Sequence, residues 1–126
     1  MTDSILNSTK KILGLAPEYT AFDLDIMTHI NTVFLTLHQI GVGPESGFLI
    51  EDAEAEWWDL LGDDPRLNAV KTYVYVRAKN LFDPPQTSFH QTAMEKQIQE
   101  LEWRLQVQVE PVVVPLINPS TDIFAD

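Results

Sequence analysis

Residues 20–41 read TAFDLDIMTHINTVFLTLHQIG. Phe22, Ile26, Ile30, Val33, Leu37 and Ile40 recur at steps of four, four, three, four and three. That spacing draws one apolar stripe along an amphipathic helix. Met27 and Phe34 widen the stripe, so the pattern predicts the central helix of an α-helical core. Thr20 reads as its N-cap, with Asp23 three residues on completing a capping-box-like start, and Gly41 closes the end.

Working outward, Asp3 or Ser4 can cap a short helix over 5–13, ended by Gly14. Pro17 then restarts the chain. On the other side, GVGPESG is a turn-rich break. FLIED, too short for a helix, reads as a small strand or hairpin arm. AEAEWWDLLG is a short helical piece ended by Gly62, with Trp57, Leu60 and Leu61 on its buried side. Asp63 or Asp64 caps the next helix with Pro65 at its first position, where a missing N–H costs nothing. The stripe of that helix is Leu67, Val70, Val74, Arg77 or Ala78, and Leu81. Pro84 and Pro85 stop it.

Ser88 with Gln91 reads as a capping box for a last helix whose apolar face is Phe89, Ala93, Met94, Ile98, Leu101 and Leu105. Trp103 stands off that face. VQVEPVVVPLI then alternates and is β-branched, which favours extended backbone. The expected fold is therefore mainly α: a compact bundle of three main helices plus short helices, a small β-hairpin near 46–52 and an extended C-terminal tail. The expected division is a helical domain over 1–106 and a tail over 107–126.

The chain has 126 residues and a formal net charge of −11. One domain and a sizeable core follow from that length. Cysteine is absent, which excludes disulfides, thiolate nucleophiles and Cys-type metal sites and is compatible with a reducing compartment. No stretch approaches about 20 apolar residues, so no membrane span is expected. The start, MTDSILNSTKK, lacks the apolar run of a signal peptide. The acidic balance disfavours attraction to a phosphate backbone. Acid is clustered as Glu45, Glu51, Asp52, Glu54, Glu56, Asp59, Asp63 and Asp64, with no Lys or Arg in 45–64. Such a run is either a solvated face or a surface that repels a polyanion or meets a basic partner.

Catalytic chemistry is not indicated. His29 and His38 lie nine residues apart and face different ways on a helix. Asp25 and His29 can pair across one turn. Carboxylate pairs abound without contrasting environments. P-loop, GxGxxG, GxSxG, HExxH and EF-hand patterns are missing, and no cofactor or metal is expected. Trp57-Trp58 reads as one core ring and one ring offered outward, with a ligand platform as the rival reading. Lys71, Arg77 and Lys79 form at most a small basic strip. The tail is different. Val109, Val112, Val113, Val114, Leu116, Ile117, Ile123 and Phe124 are apolar, while Pro111, Pro115 and Pro119 exclude a helix and a sheet interior. Such a segment suits another molecule's sheet edge or groove.

Four blocks in this order, FDLDIMTHINTVFLTLHQIGVGPESGF (22–48), EWWDLLGDD (56–64), VKTYVYVRAKNLFDPP (70–85) and MEKQIQELEWRL (94–105), resemble the small head–tail connector proteins of long-tailed bacteriophages, also termed adaptor or head-completion proteins. GVGP, LGDD and LFDPP carry most of that likeness, which spans roughly 2–106. The tail runs beyond the family pattern, which ends soon after ELEWRL. The resemblance implies a non-enzymatic subunit of the virion neck, assembled in the host cytoplasm. It implies a ring, typically of twelve copies, beneath the portal protein, with DNA passing through unbound and a stopper or tail-terminator protein docking below. Residues from Val109 to Phe124 would then reach the portal. Trp58, Tyr73, Tyr75 and Trp103 would serve contacts between copies, since a ring needs two different faces per subunit. Glu45, Glu51, Asp52, Glu54 and Glu56 would line the channel or its rim, where acid lets DNA slide. The alternative is a small acidic cytoplasmic adaptor or regulatory protein that binds a basic partner.

Overall fold

A computed structural model describes residues 4–109, with the side chains of the last two left aside. Its helices are α1 (Ile5–Ile12), α2 (Asp23–Gln39), α3 (Trp57–Leu61), α4 (Leu67–Phe82) and α5 (Ser88–Val109). The mainly helical bundle is as expected.

Two helices end by the mechanism their glycines predict. Gly14 and Gly41 sit at φ +85° and +89°. After each, the chain closes back on the helix: Gly14 N–H donates to Lys11 O and Leu15 N–H to Lys10 O, while Gly41 N–H donates to His38 O and Val42 N–H to Leu37 O. This paired closure needs a left-handed residue, which glycine adopts without a Cβ clash. At the start of α1, the Ser4 hydroxyl accepts from Asn7 N–H.

Other caps differ from the sequence reading, and two of the side chains involved, Asp23 and Gln91, have partners elsewhere. Thr20 does not cap α2. Asp23 is its first residue, and its carboxylate lies 2.8 Å from Lys10 Nζ. Lys10 is fully buried, and its ammonium also donates to Pro17 O. A buried ammonium without a counter-charge is costly, so the ion pair outcompetes a local cap. At α5, Thr87 caps in place of Ser88, accepting from His90 N–H at 3.2 Å. The Gln91 side chain instead donates to Glu95. At α4 the N-cap position is Arg66 without a side-chain cap, so Pro65 precedes the helix rather than opening it, and Asp64 accepts from Arg66 N–H at 2.8 Å in the turn before it.

The centre of the bundle is α4 rather than α2. It packs against all four other helices. Only Asn68, Thr72 and Leu81 along it are exposed, whereas α2 leaves Leu24, Asp25, Thr28, Thr32, Leu35, His38 and Gln39 in solvent. Val70, Tyr73 and Val74 of α4 meet Ile26, Ile30, Val33 and Leu37 of α2 and Ile98 and Leu105 of α5 in one core. Phe89, expected on the apolar face of α5, is 76% exposed. The first turns of α5 lie beyond the packed seam.

The expected β-hairpin near 46–52 is not formed. Among the described residues the one β-type pairing is an isolated antiparallel bridge between Ser4 and Glu56. The 46–52 backbone finds another partner. The Asn31 amide on α2 donates to Ile50 O at 3.0 Å and accepts from Ile50 N–H at 2.9 Å. One side-chain amide thus satisfies both polar groups that a strand neighbour would have taken. The expected change to extended backbone at 107 also shifts, since Val107, Gln108 and Val109 continue α5. Adding a residue to an existing helix costs a valine only a few tenths of a kcal/mol, unlike starting one.

Candidate interaction surfaces

The acid-rich segment before α3 is held at several points. Ser4 Oγ donates to Ala53 O at 2.7 Å, and Ile5 N–H donates to Ala55 O at 3.0 Å. Trp57 Nε1 donates to Ser8 Oγ at 2.9 Å. With the Asn31–Ile50 pair, these bonds tie residues 50–57 to α1 and α2. Glu51, Asp52 and Glu54 are exposed on this strap, and Glu45 is exposed in the loop before it. Glu56 has a different job. It is half-buried, and it caps α3 in a reciprocal box with Asp59. The Arg66 side chain donates to the Asp64 carboxylate through three bonds, at 2.8, 3.1 and 3.3 Å. These bonds from the Arg66 side chain and backbone hold the Asp64 carboxyl below its usual range. No group of His, Asp or Glu among the described residues is arranged to hold a metal. The exposed carboxylates of the strap give it a fixed negative field.

The four aromatic candidates separate by environment. Trp58 on α3 and Trp103 on α5 are 62% and 64% exposed. Their neighbours in sequence satisfy the core instead: Trp57 and Leu105 are fully buried. Tyr75 is half-buried, with its ring edge-on to Trp57 at 5.8 Å. Tyr73 is fully buried and presents no surface to a neighbouring copy in this arrangement. Its hydroxyl donates to Glu102 at 2.6 Å and accepts from Arg77 at 3.0 Å. Arg77 also donates to Thr36 Oγ1 at 3.2 Å. This network joins α2, α4 and α5. Burial, followed by the Glu102 hydrogen bond, pushes the Tyr73 phenol up to about 12.

The basic residues of the expected strip are not a free patch. Arg77 is in that network, Lys79 lies 3.5 Å from Asp83, and Lys71 sits over the Trp57 ring. Asp25 and His29 share no bond, so no dyad forms.

Two apolar grooves were not anticipated. One, of 390 Å³, runs between α2 and the loop after it, lined by Phe34, Leu35, His38, Phe48 and Leu49. Its signal lay in FLIED, where alternation buries Ile50 and leaves Leu49 outward. The other, of 320 Å³, lies at the open end of the α4/α5 seam, lined by Ala69, Leu101, Trp103, Arg104 and Val107. Of the tail residues expected to dock, Val109 is the last residue of α5. Val112, Val113, Val114, Leu116, Ile117, Ile123 and Phe124 lie outside the described residues.

No helix among the described residues is long and apolar enough to cross a membrane. The family model described as phage connector protein matches residues 5–112. No curated protein and no solved structure matches the chain.

Proposed function

The chain belongs to the phage connector protein family, and on that premise we propose that it is a structural subunit of the head–tail neck. The match across the whole helical bundle carries this reading. The subunit sits beneath the portal in a ring of copies, continues the DNA channel and gives the next neck or tail protein its docking surface. No catalytic step is assigned to it.

The surfaces support these roles in different ways. Ring closure requires two unlike faces on each copy. Trp58 and Trp103 are large rings on different helices that the core leaves uncovered, and aromatic side chains are favoured anchors at interfaces. Tyr75 stands behind Trp57 and adds little area. The strap carrying Glu51, Asp52 and Glu54, with Glu45 in the loop before it, faces the channel or its rim. Carboxylates there repel phosphate, so DNA passes without being held. Glu56 is occupied as a cap and adds structure rather than field. Val109 at the end of α5 and the tail through Phe124 engage the portal, the residues after Val109 as an extended segment, and repetition around the ring multiplies a weak single contact.

Purified protein added to DNA-filled heads that lack it should co-sediment with them. Protein ending at residue 109 should keep its helical circular dichroism and lose that binding. Failure of the full chain to bind filled heads would remove the connector reading. Normal binding by the shortened chain would remove only the role of the tail.

A further inference from the structure

The groove at the open end of the α4/α5 seam calls for an occupant. Leu101, Trp103 and Val107 line it from α5 and Ala69 from the start of α4. Trp103 is 64% exposed and Val107 46% exposed, although both stand beside a closed core. A tryptophan and a valine left wet at the edge of an apolar groove are a favourable place to bury further aliphatic surface.

The same chain supplies such surface close by. Helix α5 ends at Val109, two residues beyond Val107 on the groove. Seventeen residues follow, and the first apolar group in them is Val112, Val113 and Val114. Pro111 lies between the two, and proline disfavours helical backbone at the residue before it. A chain that turns there has only a few residues to cross before meeting the groove. A segment tethered this closely acts at an effective concentration on the order of millimolar. The tail brings no Lys or Arg to oppose Arg104, which lines the groove and is already paired with Glu100.

We propose that in the free subunit the segment Val112–Val114 folds back onto the α4/α5 groove of its own chain and covers Trp103. This concerns the unassembled protein and stands apart from the connector reading. If both hold, the contact keeps the tail and the Trp103 face covered until a partner draws the tail away.

Tryptophan quenching in the full chain tests it. Trp58→Phe removes the other exposed indole and leaves Trp57, fully buried, as a constant background. In that chain, acrylamide should quench Trp103 weakly. Adding Val112→Asp, Val113→Asp and Val114→Asp should raise the quenching constant severalfold and red-shift the emission, with the helical circular dichroism unchanged. Equal quenching with and without the three aspartates overturns the proposal. Protection that fades on dilution also overturns it, since the occupant would then be another copy's tail. A second route avoids the aspartates: Ala69→Glu should release Trp103 to the same degree, and a change confined to the tail variants would count against this groove.

Discussion

At the scale of single residues, side chains that sequence patterns place on a helix surface are engaged by partners distant in sequence. Tyr73 is the clearest example. As an aromatic off the expected stripe it suggested an outward face, yet it is enclosed and joins Glu102 and Arg77. The consequence is a pH dependence of known sign. The folded phenol titrates near 12 and the free one near 10.0. Folding favours the neutral phenol, so this stabilisation is complete below about pH 10 and is lost as pH rises towards about 12. Tyr73→Phe should cost about 1 kcal/mol at neutral pH for its lost hydrogen bonds. It should also flatten the fall of the urea midpoint between those pH values. An identical alkaline slope in the variant would show that the phenol does not titrate through the fold. Glu56 and Asp23 teach the same lesson with charge. One carboxylate caps α3 and the other neutralises buried Lys10. Neither role is visible from spacing alone.

At the scale of elements, the helices were legible because each carries its own periodicity and its own breaks. Gly14, Gly41, Gly62 and the Pro84-Pro85 pair bound segments whose apolar residues already follow a helical period. The segment 46–52 was misread for an equally physical reason. Its short apolar run and β-branched Ile50 suit extended backbone, but a strand also needs a neighbour, and Asn31 takes that place. Asn31→Ala should therefore do more than remove a surface amide. It leaves the N–H and C=O of nearly buried Ile50 unpaired, at about 1–3 kcal/mol for each group that water does not reach. A total loss of about 2–6 kcal/mol is expected in chemical denaturation. Hydrogen exchange should quicken at Ile50 and through residues 43–55 before it changes in α4. Uniform quickening across all helices would indicate that the strap is not pinned by this residue.

At the scale of the whole molecule, charge is unevenly used. Described Arg and Lys residues such as Lys10, Arg66, Arg77 and Arg104 are occupied in ion pairs. Glu45, Glu51, Asp52 and Glu54 remain towards solvent on a net charge of −11. Self-repulsion of this kind is screened by salt, whose Debye length falls from about 30 Å at 0.01 M to about 8 Å at 0.15 M. The melting temperature should rise over that range. Replacing Glu51, Asp52 and Glu54 by their amides should raise it at low salt and reduce its salt dependence. In assembled particles the same variant should alter DNA retention or ejection. Unchanged salt dependence would mean these carboxylates do not repel one another, and unchanged DNA behaviour would take the strap out of the channel.

The sequence by itself determined that this chain makes helices, where they break, which face of each is apolar, and that acid is gathered before α3. Those properties are local: they depend on a residue and on neighbours a few positions away. The resemblance in four ordered blocks was also readable there, and the family match agrees with it. Tertiary structure decided that α4 holds the centre, that Tyr73 is enclosed, that Thr87 and not Ser88 caps α5, and that grooves open beside α2 and at the end of the α4/α5 seam. A periodic stripe states which side of a helix avoids water, but not how many neighbours cover the rest of its circumference. A polar side chain likewise carries its bonding capacity in its chemistry, while its partner is settled by whichever distant group the fold brings nearest.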